Sequence, residues 1–179
     1  LKEFQNLFRL DAKKNDKDKK FLIQDFTKEI YRDASEVIGR QDDQIKIKQC
    51  LKSVNEGLIW LTGAAGIGKS FLAAKLMYDL EDECKNSNTL VLSYRFKVGD
   101  NTRCNREAFV NFIIERLKVN NFITDTKTIN EKVIAIDRLK FYLEKLNINK
   151  KLIIIIDGLD EIDIRDKDFA NDFPGTLRY

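Results

Sequence analysis

Residues 63–70 read Gly-Ala-Ala-Gly-Ile-Gly-Lys-Ser and meet the spacing G-x-x-x-x-G-K-[ST] at every fixed position. No other feature of the chain restricts its folding so narrowly. A loop that wraps a phosphate chain with backbone N–H groups must approach its ligand closely and adopt unusual dihedrals. Gly63, Gly66 and Gly68 permit both. A helix opening at the loop's end adds partial positive charge and free N–H donors. Lys69 supplies a full charge for the β and γ phosphates, and Ser70 supplies a hydroxyl suited to a hard cation such as Mg²⁺. Chance would produce the pattern in a chain of this length on the order of once in a hundred. The expected binding set is therefore Gly63, Ala64, Ala65, Gly66, Ile67, Gly68, Lys69 and Ser70, continued by Phe71, with Ser70 also facing the metal.

The flanking sequence suits such a loop. Residues 58–62, Leu-Ile-Trp-Leu-Thr, are apolar without alternation, as expected of a strand buried on both faces of a parallel sheet. A helix is expected from Ser70 to about Cys84, with Leu72, Leu76 and Leu80 stacked. Further strands are expected at 89–96 and 151–157, and a polar turn around Gly99 to Arg103. Helices are expected at 105–119, with Phe109, Phe112, Ile113 and Leu117 inward, and at 129–146, aligning Ile129, Val133, Ile136, Leu139, Leu143 and Leu146. Upstream, Leu22, Phe26 and Ile30 form one stripe of a helix over 21–33, and a helix from Asp42 to about Asn55 is expected to bury Ile47, Leu51 and Val54 before Gly57. Residues 1–12 carry a short helix-like apolar face, and 13–20 form a polar break. Strands alternating with helices argue an α/β fold with a mostly parallel sheet.

The strand Leu152 to Ile156 ends in Asp157. Ligands of open parallel sheets sit beyond the carboxyl ends of the strands, so Asp157 is expected on the same edge as the glycine loop. There it can hold Mg²⁺ directly or through water, as the carboxylate of the second motif does in P-loop nucleoside triphosphatases. Asp160 and Glu161 follow, and either can polarise an attacking water. Which of the two does so is left open, with Glu161 slightly favoured. A guanine-specific enzyme would carry D-x-x-G and N-K-x-D. The chain has Asp157-Gly158-Leu159-Asp160, and Asn149-Lys150-Lys151-Leu152 lacks the aspartate. ATP is therefore the expected nucleotide. No serine-glycine-glycine signature of an ABC-type ATPase is present.

Composition removes other classes. The 179 residues suffice for one domain, and 43% are hydrophobic, enough for a packed interior. With 32 basic and 29 acidic residues, the net charge of +3 gives no support for a nucleic-acid partner. The absence of histidine excludes His-based triads and imidazole metal sites from this segment. Cys50, Cys84 and Cys104 are widely spaced, which argues against a zinc site or disulfide framework and fits a reducing, cytoplasmic setting. The longest apolar run is too short to cross a bilayer, and no secretory signal opens the chain. The chain begins with Leu and is expected to be part of a longer polypeptide.

The string Ile-Ile-Ile-Ile-Asp157-Gly158-Leu159-Asp160-Glu161 resembles the second motif of NACHT-type proteins, which are signal-transducing (STAND) ATPases related to the AAA+ enzymes. Val37-Ile38-Gly39-Arg40 is similar to the element that precedes the phosphate loop in that superfamily and lies near the adenine. The resemblance covers about residues 36–161 and also takes in Tyr94-Arg95-Phe96 through Arg103. It implies a three-layer, AAA+-like P-loop domain over 36–179, preceded by a helical linker segment over 1–35. It further implies Ile38, Gly39 and Arg40 beside the base, ATP and Mg²⁺ as cofactors, and self-association or partner proteins engaged through flanking domains. In such domains a later strand inserts between the loop strand and the Asp157 strand. Residues 162–179 carry no apolar run of that kind, so the domain is expected to be C-terminally incomplete. The expected function is an ATP-hydrolysing signalling switch. The alternatives are a nucleotide-gated scaffold with little turnover and an AAA+ ATPase acting on DNA. A small-molecule kinase fits the Asp-Gly-Leu-Asp-Glu string poorly.

Overall fold

The computed structural model describes residues 27–54, 56–123, 133–147 and 149–169. The expectations for 1–12, 13–20, Leu22, Phe26, Ile129 and the segment after 169 lie outside these residues. In chain order the elements are α1 (Thr27–Ser35), α2 (Gln41–Ser53), α3 (Lys69–Cys84), β1 (Thr89–Arg95), α4 (Arg106–Val119), α5 (Ala135–Glu144) and β2 (Lys151–Asp157). Two short 3₁₀ turns follow, Leu159–Glu161 and Ile164–Asp166. The architecture is mixed α/β around a two-stranded sheet.

β1 and β2 pair in parallel, in register from Thr89 with Lys151 to Arg95 with Asp157. Two strands side by side present alternate residues to opposite faces. Tyr94 meets Phe109 and Phe112 of α4, with ring centroids 5.1 and 5.3 Å apart. Its neighbour Arg95, of opposite parity, reaches the Ser70 carbonyl at the start of α3. Helices thus cover both faces of the strand pair. The core joins Leu92, Tyr94 and Phe96 to Phe109, Ile113 and Leu117 of α4, Leu139 and Tyr142 of α5, and Ile30 and Ala34 of α1.

α3 and α4 form where their apolar spacing predicts. Leu72, Leu76 and Leu80 are buried on α3, and Phe109, Phe112, Ile113 and Leu117 on α4. Asn105 caps α4 by accepting the Ala108 N–H at 2.9 Å, which satisfies one of the donors a helix start leaves open.

Three expectations are corrected. Residues 58–62 form no strand, and Leu58, Ile59, Trp60 and Leu61 are 38–59% exposed. A strand is buried on both faces only when a sheet surrounds it, and among the described residues only β1 and β2 make a ladder. α2 buries no residue. Ile47 and Leu51 are only partly covered, and Val54 lies beyond the helix, exposed. Its apolar stripe is too sparse to compete for core contacts. The helix expected over 129–146 is described only as Ala135–Glu144. Val133 lies outside it and is exposed, while Leu139 is fully buried. Among the described residues no helix is long and apolar enough to cross a membrane, and all three cysteines are free.

Candidate functional site at the ends of the parallel strands

The glycine loop leads directly into α3. Gly66 and Gly68 have φ of 78° and 86°, the left-handed region that glycine enters without strain. Gly68 is the N-cap of α3, so the first free N–H groups of that helix lie at the loop's end. A Cβ at Gly63 would stand 3.2 Å from Ile67 Cγ2, a close fit that keeps the loop narrow, whereas a Cβ at Gly66 would meet nothing within 4 Å. Residues 61–67 are exposed, and Phe71 is 39% exposed on the first turn of α3. The Lys69 ammonium bends back over the loop and donates to the carbonyls of Gly63 at 2.9 Å and Ala64 at 3.0 Å.

The structure joins the loop to the end of β2. Ser70 Oγ donates to Asp157 Oδ1 at 2.9 Å, across 87 residues of sequence. A hydroxyl and a carboxylate oxygen therefore face one another beside the first turn of α3. Among the described residues no cluster of three or more Asp, Glu or Cys side chains could enclose a metal. One hydroxyl and one carboxylate suit Mg²⁺, which keeps several waters and takes its remaining oxygens from phosphates.

Asp157 is held by a cation that the sequence reading did not assign to the site. Arg95, its register partner on β1, donates from Nε to Asp157 Oδ2 at 2.8 Å and from Nη1 to Asp33 Oδ2 at 2.6 Å. Arg32 also donates to Asp33. Burial opposes the charge of Asp33, but the hydrogen bonds and charges of Arg95 and Arg32 outweigh it and hold its carboxyl below the ordinary range. The one available signal was a charged residue near the end of the mainly apolar run Leu90 to Phe96, opposite the carboxylate that ends the other strand.

Gly158 turns the chain after β2 with φ of 69°, and Asp160 and Glu161 follow in a 3₁₀ turn. The two acids have different surroundings. Glu161 Oε2 accepts the Val98 N–H at 3.0 Å and so fastens the loop after β1, whereas Asp160 is exposed. A Cβ at Gly158 would lie 2.8 Å from the Phe96 carbonyl oxygen, so Gly158→Ala meets both a clash with backbone and a left-handed dihedral. The variant is expected to lose about 1–3 kcal/mol of stability, measured by urea unfolding. An unchanged midpoint would remove the constraint assigned to this glycine.

Of residues 38–40, only Arg40 reaches the loop. Its Nη1 donates to the Ile67 carbonyl at 2.7 Å and its Nε to Asp43 at 2.7 Å. Gly39 and Arg40 both have positive φ, and Ile38 is 94% exposed. The structure therefore gathers Lys69, Ser70, Asp157, Arg95 and Arg40 around the loop, and leaves the Ile38 side chain in solvent.

The family described as Nephrocystin 3, N-terminal matches residues 41–174, a stretch that contains the glycine loop and Asp157 to Glu161 but not residues 38–40. No curated protein and no solved structure matches the chain.

Proposed function

The chain belongs to the Nephrocystin 3, N-terminal family, and we propose that it is the nucleotide-binding part of a cytoplasmic signalling switch that binds ATP with Mg²⁺ and hydrolyses it. The observation that carries this reading is the contact between Ser70 and Asp157, because the two groups required for one metal come from opposite ends of the matched stretch. The loop spacing and the string from Asp157 to Glu161 support the finer assignment to a NACHT-like, AAA+-related P-loop domain.

In this reading the loop amides and the first N–H groups of α3 hold phosphate oxygens. Lys69 exchanges two neutral carbonyl partners for phosphate, and the charge-assisted bond is the stronger one. Ser70 and Asp157 would hold Mg²⁺, which when bound neutralises charge on the β and γ phosphates. Asp160, exposed at the turn, positions water. Glu161 keeps the neighbouring loop in place through Val98. Arg40 braces the loop at Ile67, and residues 38–40 flank the base. ADP is the product that the same loop retains, and partner proteins or further copies of the chain engage through flanking domains.

Calorimetry on the full-length protein tests the binding step. Lys69→Ala is expected to weaken ATP about tenfold to a hundredfold, since hydrogen bonds to charged groups contribute about 1.5–3 kcal/mol. Equal affinity in the variant removes Lys69 from the site. Single-turnover cleavage then separates a hydrolysing switch from a scaffold that only binds.

A further inference from the structure

We propose that Arg95 is a relay through which α1 sets the Mg²⁺ affinity of the nucleotide site. The proposal rests on the ATP and Mg²⁺ reading above. It concerns a link between two parts of the chain, because α1 lies outside the stretch matched by the family while Arg95 and Asp157 lie within it.

The geometry is one guanidinium shared by two carboxylates. Arg95 binds Asp157 through Nε at 2.8 Å and Asp33 through Nη1 at 2.6 Å, and Nη1 lies 3.9 Å from Glu29 of the same helix. All three principal side chains are largely buried, with 14%, 11% and 8% exposure for Arg95, Asp157 and Asp33. Charges so placed interact strongly and are screened little by salt. Arg95 also touches the Ser70 carbonyl, so it borders both expected metal-facing residues. α1 itself is docked by Ile30 and Ala34 in the core and by a Tyr31 hydrogen bond to Glu81 of α3.

The sign of the coupling follows from the charges. A cation beside Asp157 disfavours a second cation on the same carboxylate. While α1 is docked, Asp33, which Arg32 also reaches, shares the guanidinium with Asp157 and offsets part of its charge, and Glu29, held mainly by Arg103 at 3.1 Å, adds a weaker offset. Without them the full charge of Arg95 falls on Asp157. Docked α1 therefore favours Mg²⁺, and by thermodynamic reciprocity Mg²⁺ with nucleotide favours docked α1. A segment upstream of the nucleotide site thus both senses its occupancy and controls it.

The test is a double-mutant cycle on the full-length protein, read as the Mg²⁺ concentration for half-maximal ATP binding. Asp33→Asn is expected to raise that concentration about fivefold, the low end of typical couplings between sites. In the Arg95→Gln background the effect of Asp33→Asn is expected to vanish. Hydrogen exchange supplies the reciprocal reading: Mg²⁺ and ATP together are expected to slow exchange in residues 27–35, and ATP with chelator is not. If Asp33→Asn fails to fold, Glu29→Gln is expected to act in the same direction with a smaller shift. An equal shift in both backgrounds, as a through-space charge or a loosened helix would give, overturns the relay, and so does an unchanged half-saturation in Asp33→Asn with normal ATP binding. Absence of ATP binding in the unaltered protein overturns the phosphate-site reading and the relay with it, whereas ATP binding that Mg²⁺ does not strengthen overturns the metal pair and the relay alone.

Discussion

Asp160→Asn is expected to bind ATP and Mg²⁺ as the unaltered protein does but to cleave ATP about 10²–10⁴ times more slowly, the range associated with loss of a general base. The assignment depends on a division of labour within one 3₁₀ turn. Asp157 ends β2 with its oxygens engaged by Ser70 and Arg95. Gly158 reverses the chain, and Glu161 spends one carboxylate oxygen on the Val98 amide. Asp160 is the exposed acid of the three. Glu161→Gln keeps the capacity to accept that N–H and is expected to leave the rate within a small factor. Single-turnover cleavage of both variants, with calorimetry to show intact binding, separates the roles. A slow Glu161→Gln beside a normal Asp160→Asn exchanges them. Normal rates in both remove this turn from the chemistry.

Phe109→Ala is expected to cost about 3–5 kcal/mol of folding stability, as measured by denaturant unfolding, the range for truncating a buried aromatic to Ala. Phe109 is completely buried at the centre of an aromatic group. Its ring stacks on Phe96 at 5.7 Å and meets Tyr94 and Phe169 edge-on at 5.1 and 5.8 Å. The consequence reaches the site, because the Phe96 N–H donates to the Asp157 carbonyl at 2.9 Å and the Phe96 carbonyl lies against Gly158. A cavity at residue 109 thus opens beneath the turn that carries Asp157 to Glu161. Phe109→Leu keeps much of the volume and is expected to lose distinctly less. A loss below about 1 kcal/mol in Phe109→Ala would mean that the aromatic group closes over the gap, the collapse that makes such costs variable.

The elements readable in the sequence were those whose signals are local. Leu72, Leu76 and Leu80 on α3, and Phe109, Phe112, Ile113 and Leu117 on α4, recur at helical spacing and are buried as that spacing predicts. The runs at 89–96 and 151–157 became strands because each has the other as a partner. The run at 58–62 has the same apolar character and is no strand, since β structure needs a neighbour's backbone and composition cannot supply one. α2 shows the same limit for helices: its residues form the helix, but the packing around it leaves none of them buried.

The glycine loop follows the same division. The sequence alone set the spacing of glycines at 63, 66 and 68 with a lysine and a serine at adjacent fixed positions, and Gly66 and Gly68 take the positive φ that such a loop needs. The sequence also determined that Asp157 ends an apolar strand. Only the tertiary structure decided that Ser70 and Asp157 face one another at 2.9 Å, that Arg95 rather than solvent holds the second oxygen, and that Asp33 from α1 shares that guanidinium. These contacts span 62 to 87 residues and depend on strand register and helix docking, because a hydrogen bond forms between groups brought within about 3 Å whatever their order along the chain.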